Sequence, residues 1–432
     1  MREPIRPFKT ALVLGGGAAR GAFEAGVISW MREELPKDLG GPLPIQLLAG
    51  TSVGAVNACY LATRADAPDR QGDDLAERWR SLHLEDVLRV GASDVARIAF
   101  DLIRRTPARP AHAHRTGLVD PRGLQEIASR HVVWRQIGRC IERGALEALA
   151  ITATHVASGR TTVFIQRREP LTGFPSRPGP HYRAVATRIG LKHAMASAAI
   201  PLLFPPVMLG GELYVDGGIR QNVPLSPAIR LGADRVIVLP LRHEETLDPS
   251  GPREAPAQEP RERALPSGAF LLGKALDALL NDRIDEDLDR LRQTNALLEA
   301  GTLSYGAPFS MLLNSALEAA QGHSLRYVRH LVIRPSKDLG RLAAEFIQSP
   351  EFAKRARGFQ GKLVRRLAES EATDQADLAS YLLFDGAFAD QLIELGRKDA
   401  QARRDDWLRF CSPEPQSHVE AAQREMPRAT GA

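Results

Sequence analysis

The chain has 432 residues, with 57 Lys+Arg against 52 Asp+Glu and a formal net charge of +5. Its 44% hydrophobic and 25% charged residues are those of a globular protein of two or three domains, which excludes a mostly disordered or fibrous one. Only 8 of the cations are Lys, and the Arg is spread along the chain without a basic stripe. Phospholipid and membrane phosphates stay in view as partners, whereas no recognised module accompanies the charge to support nucleic-acid binding.

In chain order, Met1 to Thr10 is charged and proline-marked, and the apolar run behind it dissolves into Gly15-Gly16-Gly17, so the continuous apolar core of a signal peptide is missing. Thr10 to Leu14 reads as a buried strand entering a tight turn, and Gly21 to Leu35 as a helix. Gln46 to Ala49 is a second strand, followed by Gly50-Thr51-Ser52-Val53-Gly54 and the helix-like Ala55 to Thr63. Strand, turn, helix, repeated, predicts an α/β fold with a parallel sheet. Helical patterns over Asp69 to Val90 and Leu124 to Glu147 precede strand patterns at Ala148–Ala153, Thr161–Gln166, Glu212–Val215 and Arg235–Leu239. Leu241 to Gly268 carries five prolines among charges and reads as a mobile linker. Phe270 to Leu298 has helical spacing, Tyr327 to Pro335 reads as a late strand, and the pattern from Leu339 to about Ala402 is helical. Ala194 to Gly211 is nearly uncharged, but Pro201, Pro205 and Pro206 make it a poor membrane span. Cys59, Cys140 and Cys411 are too few and too scattered for a disulfide framework and fit a reducing, cytoplasmic setting.

Gly50-Thr-Ser-Val-Gly54 is a Gly-x-Ser-x-Gly placed between a strand and a helix, which is the context a nucleophile elbow demands. The turn exposes the Ser52 hydroxyl at the positive end of a helix, where developing anionic charge is favoured. Gly15 to Gly21 is a second glycine turn. A dinucleotide fingerprint fails because its last glycine would fall on Arg20, and a phosphate-binding loop fails for want of lysine. Backbone donors for an oxyanion are the better reading, since two such turns at the ends of neighbouring parallel strands share one sheet edge. Asp216 ends a strand in Tyr214-Val-Asp-Gly-Gly218; it is either an ordinary turn aspartate or the base that a serine hydroxyl needs. A Ser…Asp…His order is available with His243, His323 or His330, but the elbow follows only the second strand, unlike the α/β-hydrolase arrangement. A Ser–Asp pair fits better.

These motifs resemble those of the patatin-like phospholipases. Gly15-Gly16-Gly17-Ala18-Ala19-Arg20-Gly21, the serine pentapeptide and Asp216-Gly217-Gly218 stand in that family's order, and Ala196 to Pro206 resembles its stretch before the aspartate. Tyr381 to Asp385, Leu395-Gly396 and Asp399-Ala400 resemble the C-terminal region of bacterial members. Ala18 departs from the glycine common there, keeping the backbone donor but narrowing the allowed dihedrals. The resemblance implies a three-layer α/β/α sandwich with a mainly parallel sheet, a helical insertion and a helical C-terminal region. It implies a serine acyl hydrolase of phospholipase A or lysophospholipase type, with Ser52 as nucleophile, Asp216 as base and amides around Gly16, Gly17 and Ala18 for the oxyanion.

Gly15, Gly21, Gly50, Gly54, Gly217 and Gly218 would support the turns. Arg20 would brace its turn, meet a headgroup phosphate, or pair with a buried carboxylate. No cofactor or metal is expected. The expected partners are a lipid ester and, through the basic segment Arg97 to Arg115 or a solvated alternative to it, an anionic membrane surface. A non-catalytic lipid-binding scaffold and a Ser-Asp-His esterase are the rival readings. The expected division is a catalytic domain over 9–240, the linker 241–268, a helical insertion 269–325, a final strand with helices over 326–402, and a disordered tail 412–432.

Overall fold

Short apolar runs bounded by glycine turns make the centre of the sheet, and the turns at its edge carry the motifs. The computed structural model describes residues 8–87, 119–170, 182–243, 284–321, 324–356, 358–370 and 377–420. Its strands are β1 (Thr10–Leu14), β2 (Leu47–Thr51), β3 (Ala148–His155), β4 (Thr161–Arg167), β5 (Tyr182–Ala186), β6 (Val207–Leu209), β7 (Glu212–Asp216), β8 (Arg235–Leu239) and β9 (Arg329–Val332). The path β5-β4-β3-β2-β1-β8-β9 has β3, β2, β1, β8 and β9 mutually parallel, with β4 antiparallel to β3. β1, β2 and β8 are buried along their whole length, as parallel strands covered on both faces must be.

Side chains alternate across the sheet and so feed two apolar layers. Leu12, Leu14 and Leu48 join the larger layer, which includes helices α1 (Ala22–Glu33), α2 (Val53–Ala62) and α3 (Gln71–Arg80). Helix α4 (Leu191–Ser197) contributes Ala194 and Ala196 to the same layer. Ala11, Val13, Leu47 and Ala49 join the other, closed by α5 (Leu225–Arg230) and by Ile284, Leu288 and Leu291 of α6 (Ile284–Tyr305). This is the α/β/α sandwich, with a mixed, mostly parallel sheet.

The C-terminal helices belong to the larger layer. After α7 (Asp377–Leu382), helix α8 (Gly386–Ala402) lies directly on α1. The crossing is close enough to admit only glycine: a Cβ on Gly26 would lie 2.1 Å from the Ile393 carbonyl oxygen, and one on Gly396 2.3 Å from that of Phe23. The crossing therefore locks the end of the chain onto the helix that follows the glycine turn.

Four details differ from the sequence expectations. β5 has the mixed pattern Tyr-Arg-Ala-Val-Ala and an incompletely buried edge position, so it carries no clear period. β6 is three residues long, too short to show one. Ser412 to Glu420, expected within a disordered tail, is docked. Glu420 Oε2 accepts from Arg329 Nη2 at 2.7 Å, Val419 is fully buried, and the carbonyls of Phe410 and Ser412 take Arg329 Nη1. A guanidinium on a buried strand needs acceptors, and this segment supplies them. Leu241, placed at the start of the linker, is also buried. Residues 244–283, 421–432 and the basic segment Arg97–Arg115 lie outside the described residues. Among the described residues no helix is long and apolar enough to cross a membrane.

Gly396→Val should destabilise the protein by roughly 1–3 kcal/mol or more by forcing α8 off α1, read as a lower urea midpoint with an unchanged slope.

Candidate active site

Ser52 makes the turn from β2 to α2 alone, since β2 ends at Thr51 and α2 begins at Val53. Its backbone sits at φ 54° and ψ −123°, a conformation L residues rarely hold unless the surroundings impose it. The surroundings here leave no alternative path. A Cβ on Gly50 would lie 2.3 Å from the Gly54 carbonyl oxygen, and one on Gly54 2.5 Å from those of Leu14 and Gly15. The Ser52 amide donates to Ser197 Oγ of α4 at 2.9 Å. The serine is 3% exposed, at the N-terminus of a buried helix.

Strand register explains how Asp216 reaches it. β2 pairs with β3 as far as Thr51 opposite Thr152. From the next residue, that side of β3 is taken by β7, with Asp216 opposite Ala153, while β4 keeps the other side. β7 thus meets β2 end to end, and Asp216 caps the point where β2 turns into Ser52. A Cβ on Gly217 would lie 2.5 Å from the Thr152 carbonyl oxygen, so glycine is required for the chain to leave. The Asp216 backbone is held at both ends, its amide donating to the Ala199 carbonyl and its carbonyl accepting from Thr154 Oγ1, each at 2.9 Å.

The Asp216 carboxyl is fully buried. Oδ1 accepts from the Gly218 amide at 2.7 Å, and among the described residues Oδ2 has no geometrically formed hydrogen bond. Burial pushes its pKa up to about 7, while the Ser52 hydroxyl and the Gly218 amide pull the other way. The serine hydroxyl and the carboxyl therefore adjoin, and the acid is poised to titrate near neutrality.

The first glycine turn lies across the same edge. The Gly15 amide donates to the Leu239 carbonyl at 3.1 Å. Gly16, expected among the oxyanion donors, has its amide engaged by the Asn222 carbonyl at 3.1 Å, and its own carbonyl accepts from Asn222 Nδ2 at 3.2 Å. The amides of Gly17 and Ala18 open the helical turn Ala18–Gly21, where no intrahelical acceptor exists for them. Ala18 is left-handed at φ 49°, where an alanine carries strain that glycine would not. Leu241 packs onto Gly17, and Gly21 passes against Val53 of α2.

Arg20 is buried. Its Nε donates to Ser380 Oγ at 2.8 Å and its guanidinium stacks 4.1 Å from the Tyr381 ring centroid, tying the turn to α7. That placement answers to bracing and not to an exposed headgroup contact.

Three supporting residues escaped the sequence reading. Asn222 could have been found only as a polar residue shortly after the Asp-Gly-Gly turn, and Ser197 only as the one hydroxyl in an alanine-rich helix. Glu24 is fully buried, accepts from Asn57 Nδ2 at 2.7 Å, and is held well above the usual carboxylate range by burial. Asn57 in turn accepts from Trp79 and donates to the Gly21 carbonyl, so this network underpins the glycine turn. Of the histidines considered for a triad, His243 contacts the Pro335 carbonyl and His330 lies on β9 at the end of the sheet; His323 is outside the described residues.

Ala18 and Ser52 open into a narrow apolar cavity of about 90 Å³, walled by Val56, Trp79, Leu124, Ile200, Phe204 and Phe384.

The family model for patatin-like phospholipases matches residues 12–229, about half of the chain. The lysophospholipase nte1 of Aspergillus terreus is 27% identical over 241 residues, covering 56% of this chain and 12% of that protein. The lysophospholipase nte1 of Neurospora crassa is 27% identical over 229 residues, 53% of this chain and 12% of that one. The chain thus spans only a small part of the curated relatives' length. Among solved structures, human GIVD cytosolic phospholipase A2 with a methyl gamma-linolenyl fluorophosphonate is 12% identical at a TM-score of 0.38, covering 96% of this chain and 59% of that one. VipD from Legionella pneumophila is 13% identical at 0.33, covering 90% and 67%. Likenesses that distant carry no argument here.

Because the folded protein keeps a proton on Asp216 that the unfolded chain loses near its ordinary carboxylate pKa, this group's contribution to stability falls as pH rises from about 4 to about 7. Asp216→Asn removes the burial of that charge. It should be more stable than the parent at pH 8, by roughly 1–3 kcal/mol, with the gap closing toward pH 4; thermal unfolding at both pH values measures this.

Proposed function

The chain belongs to the patatin-like phospholipase family, and on that premise we propose that it hydrolyses fatty-acyl esters of lipids, in the manner of a phospholipase A or lysophospholipase, through Ser52 and Asp216. The observation that carries the reading is Asp216 itself: a fully buried carboxyl with an unpartnered oxygen, capping the strand that ends in the elbow serine. Buried polar atoms are normally satisfied, and one left open beside a nucleophile is available for proton transfer.

In the ionised form Asp216 accepts the Ser52 proton as Oγ attacks the ester carbonyl carbon. The carbonyl π electrons move onto oxygen, and the amides of Gly17 and Ala18, with the positive end of α2, stabilise that charge. Collapse of the tetrahedral species breaks the bond to the alcohol, which leaves as the lysolipid or glycerol moiety with the proton from Asp216. An acyl ester remains on Ser52. Water then attacks it, again losing its proton to Asp216, and the fatty acid is released with Ser52 re-protonated. No group outside the chain is needed for the balance. The apolar cavity at Ser52 suits the acyl chain, and its narrow volume means that a long chain must spread the walls. Such substrates reside in lipid surfaces, so the enzyme would act by peripheral contact with one.

Against a Ser-Asp-His esterase stand His243, engaged at the Pro335 carbonyl, and His330, on β9 at the end of the sheet. A scaffold without activity would have little use for a strained serine beside a buried, half-titrated acid. A fluorophosphonate probe separates this rival, since it labels an activated serine and leaves a scaffold untouched.

Ser52→Ala and Asp216→Asn should each lower hydrolysis of a phospholipid or lysophospholipid by roughly 10³-fold or more while the protein stays folded, measured as fatty-acid release. Full activity in Asp216→Asn together with loss in a histidine variant would sink the dyad. Since only ionised Asp216 accepts the proton, kcat/KM of the parent should rise with pH and reach half its plateau near pH 7. A flat profile from pH 5 to 8 would assign the base elsewhere.

A further inference from the structure

A second cavity lies in the larger layer, at the end of α1 remote from the glycine turn. Its volume is about 310 Å³, and it is walled by Leu12, Ile28, Met31, Leu48 and Leu61 together with the loop from Pro42 to Pro44. Arg32, in the last turn of α1, lines it and is 7% exposed. Nη1 donates to the Leu43 carbonyl at 2.6 Å, but among the described residues Nε has no hydrogen-bond partner and no carboxylate forms an ion pair with this guanidinium. Burial lowers its pKa to about 10 against the opposing pull of Asp69, so the side chain still carries its charge at neutral pH. Gln71 lines the same cavity, 4% exposed, with Nε2 donating to the Leu61 carbonyl and Oε1 left without a partner.

A buried cation without an anion is costly, and proteins ordinarily pair or neutralise it. Here the residues that carry the unused donor and the unused acceptor line one chamber, whose apolar walls are interrupted by polar surface. We propose that this cavity binds a medium-chain carboxylate, its headgroup on Arg32 and its tail along the Leu, Ile and Met walls.

The charge and the size both narrow the ligand. Arg32 is the one charged residue among those lining the cavity, which matches a monoanion and leaves a phosphate dianion half-compensated. A dry apolar cavity of about 150 Å³ holds benzene, so this one holds about a dozen non-hydrogen atoms, the size of decanoate. Gln71 Oε1 would accept from a water shared with the carboxylate. The site stands apart from the catalytic reading. Only the source of the ligand, a fatty acid released by hydrolysis, rests on that reading.

Calorimetric titration of the full chain with decanoate, and with decan-1-ol as the uncharged control, tests this. Decanoate should bind saturably, and decan-1-ol should not displace it. Arg32→Met should weaken binding at least tenfold, and Ala145→Phe, which fills the cavity from its half-buried rim with Arg32 intact, should weaken it comparably. Binding of decanoate in the cavity at Ser52 would persist in both variants, so their loss of binding reads this site alone. Parent-like affinity in both variants overturns the proposal. So does the absence of saturable binding to the parent, which would leave the cavity to water only. Should Arg32→Met fail to fold, Ala145→Phe decides the matter by itself.

Discussion

One change of partner along β3 governs the site. β2 occupies a side of β3 up to Thr152, and β7 occupies the same side from Ala153 onward. Two strands that are far apart in the chain thereby meet end to end, one ending in a serine and the other in an aspartate. The join is buried, where a carboxyl is poorly hydrated and its charge is penalised. The elevated pKa of Asp216 and the absence of a partner for its Oδ2 both follow from that placement.

Such a site stores unfavourable features that the rest of the fold must hold in place. Ser52 and Ala18 both have positive φ, and Asp216 and Glu24 are buried acids with incomplete hydrogen bonding. What restrains them is a set of clamps from distant parts of the chain: Ser197 on the Ser52 amide, Asn222 on both sides of Gly16, and Ser380 and Tyr381 on Arg20. The last of these explains the C-terminal helices. They are a wall of the larger layer, fastened through Gly26 and Gly396 to the helix that starts at the glycine turn.

Much of the fold was legible because its signals are local. Thr10–Leu14 and Arg235–Leu239 are apolar from end to end, and a parallel strand buried on both faces can hardly look otherwise. The elbow could be read for a similar reason: close passage past Leu14 and Gly15 excludes any side chain at Gly54, so glycine spacing records the geometry directly. β5 and β6 were not legible, because a half-exposed edge strand and a three-residue strand impose too little on composition to leave a period. The docked segment up to Glu420 looked like a polar tail, since its partner, Arg329, lies some ninety residues earlier.

The sequence by itself determined the family and the order of the three motifs, and it named the candidates for nucleophile, base and oxyanion turn. Its composition and glycine spacing suffice for that, because steric exclusion operates over a few neighbouring residues. Only the tertiary structure decided that Gly16 gives its amide to the Asn222 carbonyl, while those of Gly17 and Ala18 open the helical turn. It alone turned Arg20 inward, raised the pKa of Asp216, and set Arg32 against a cavity with no ion-pair partner among the described residues. Each of these depends on burial and on contacts between residues remote in sequence, and desolvation is a property of the whole packed molecule.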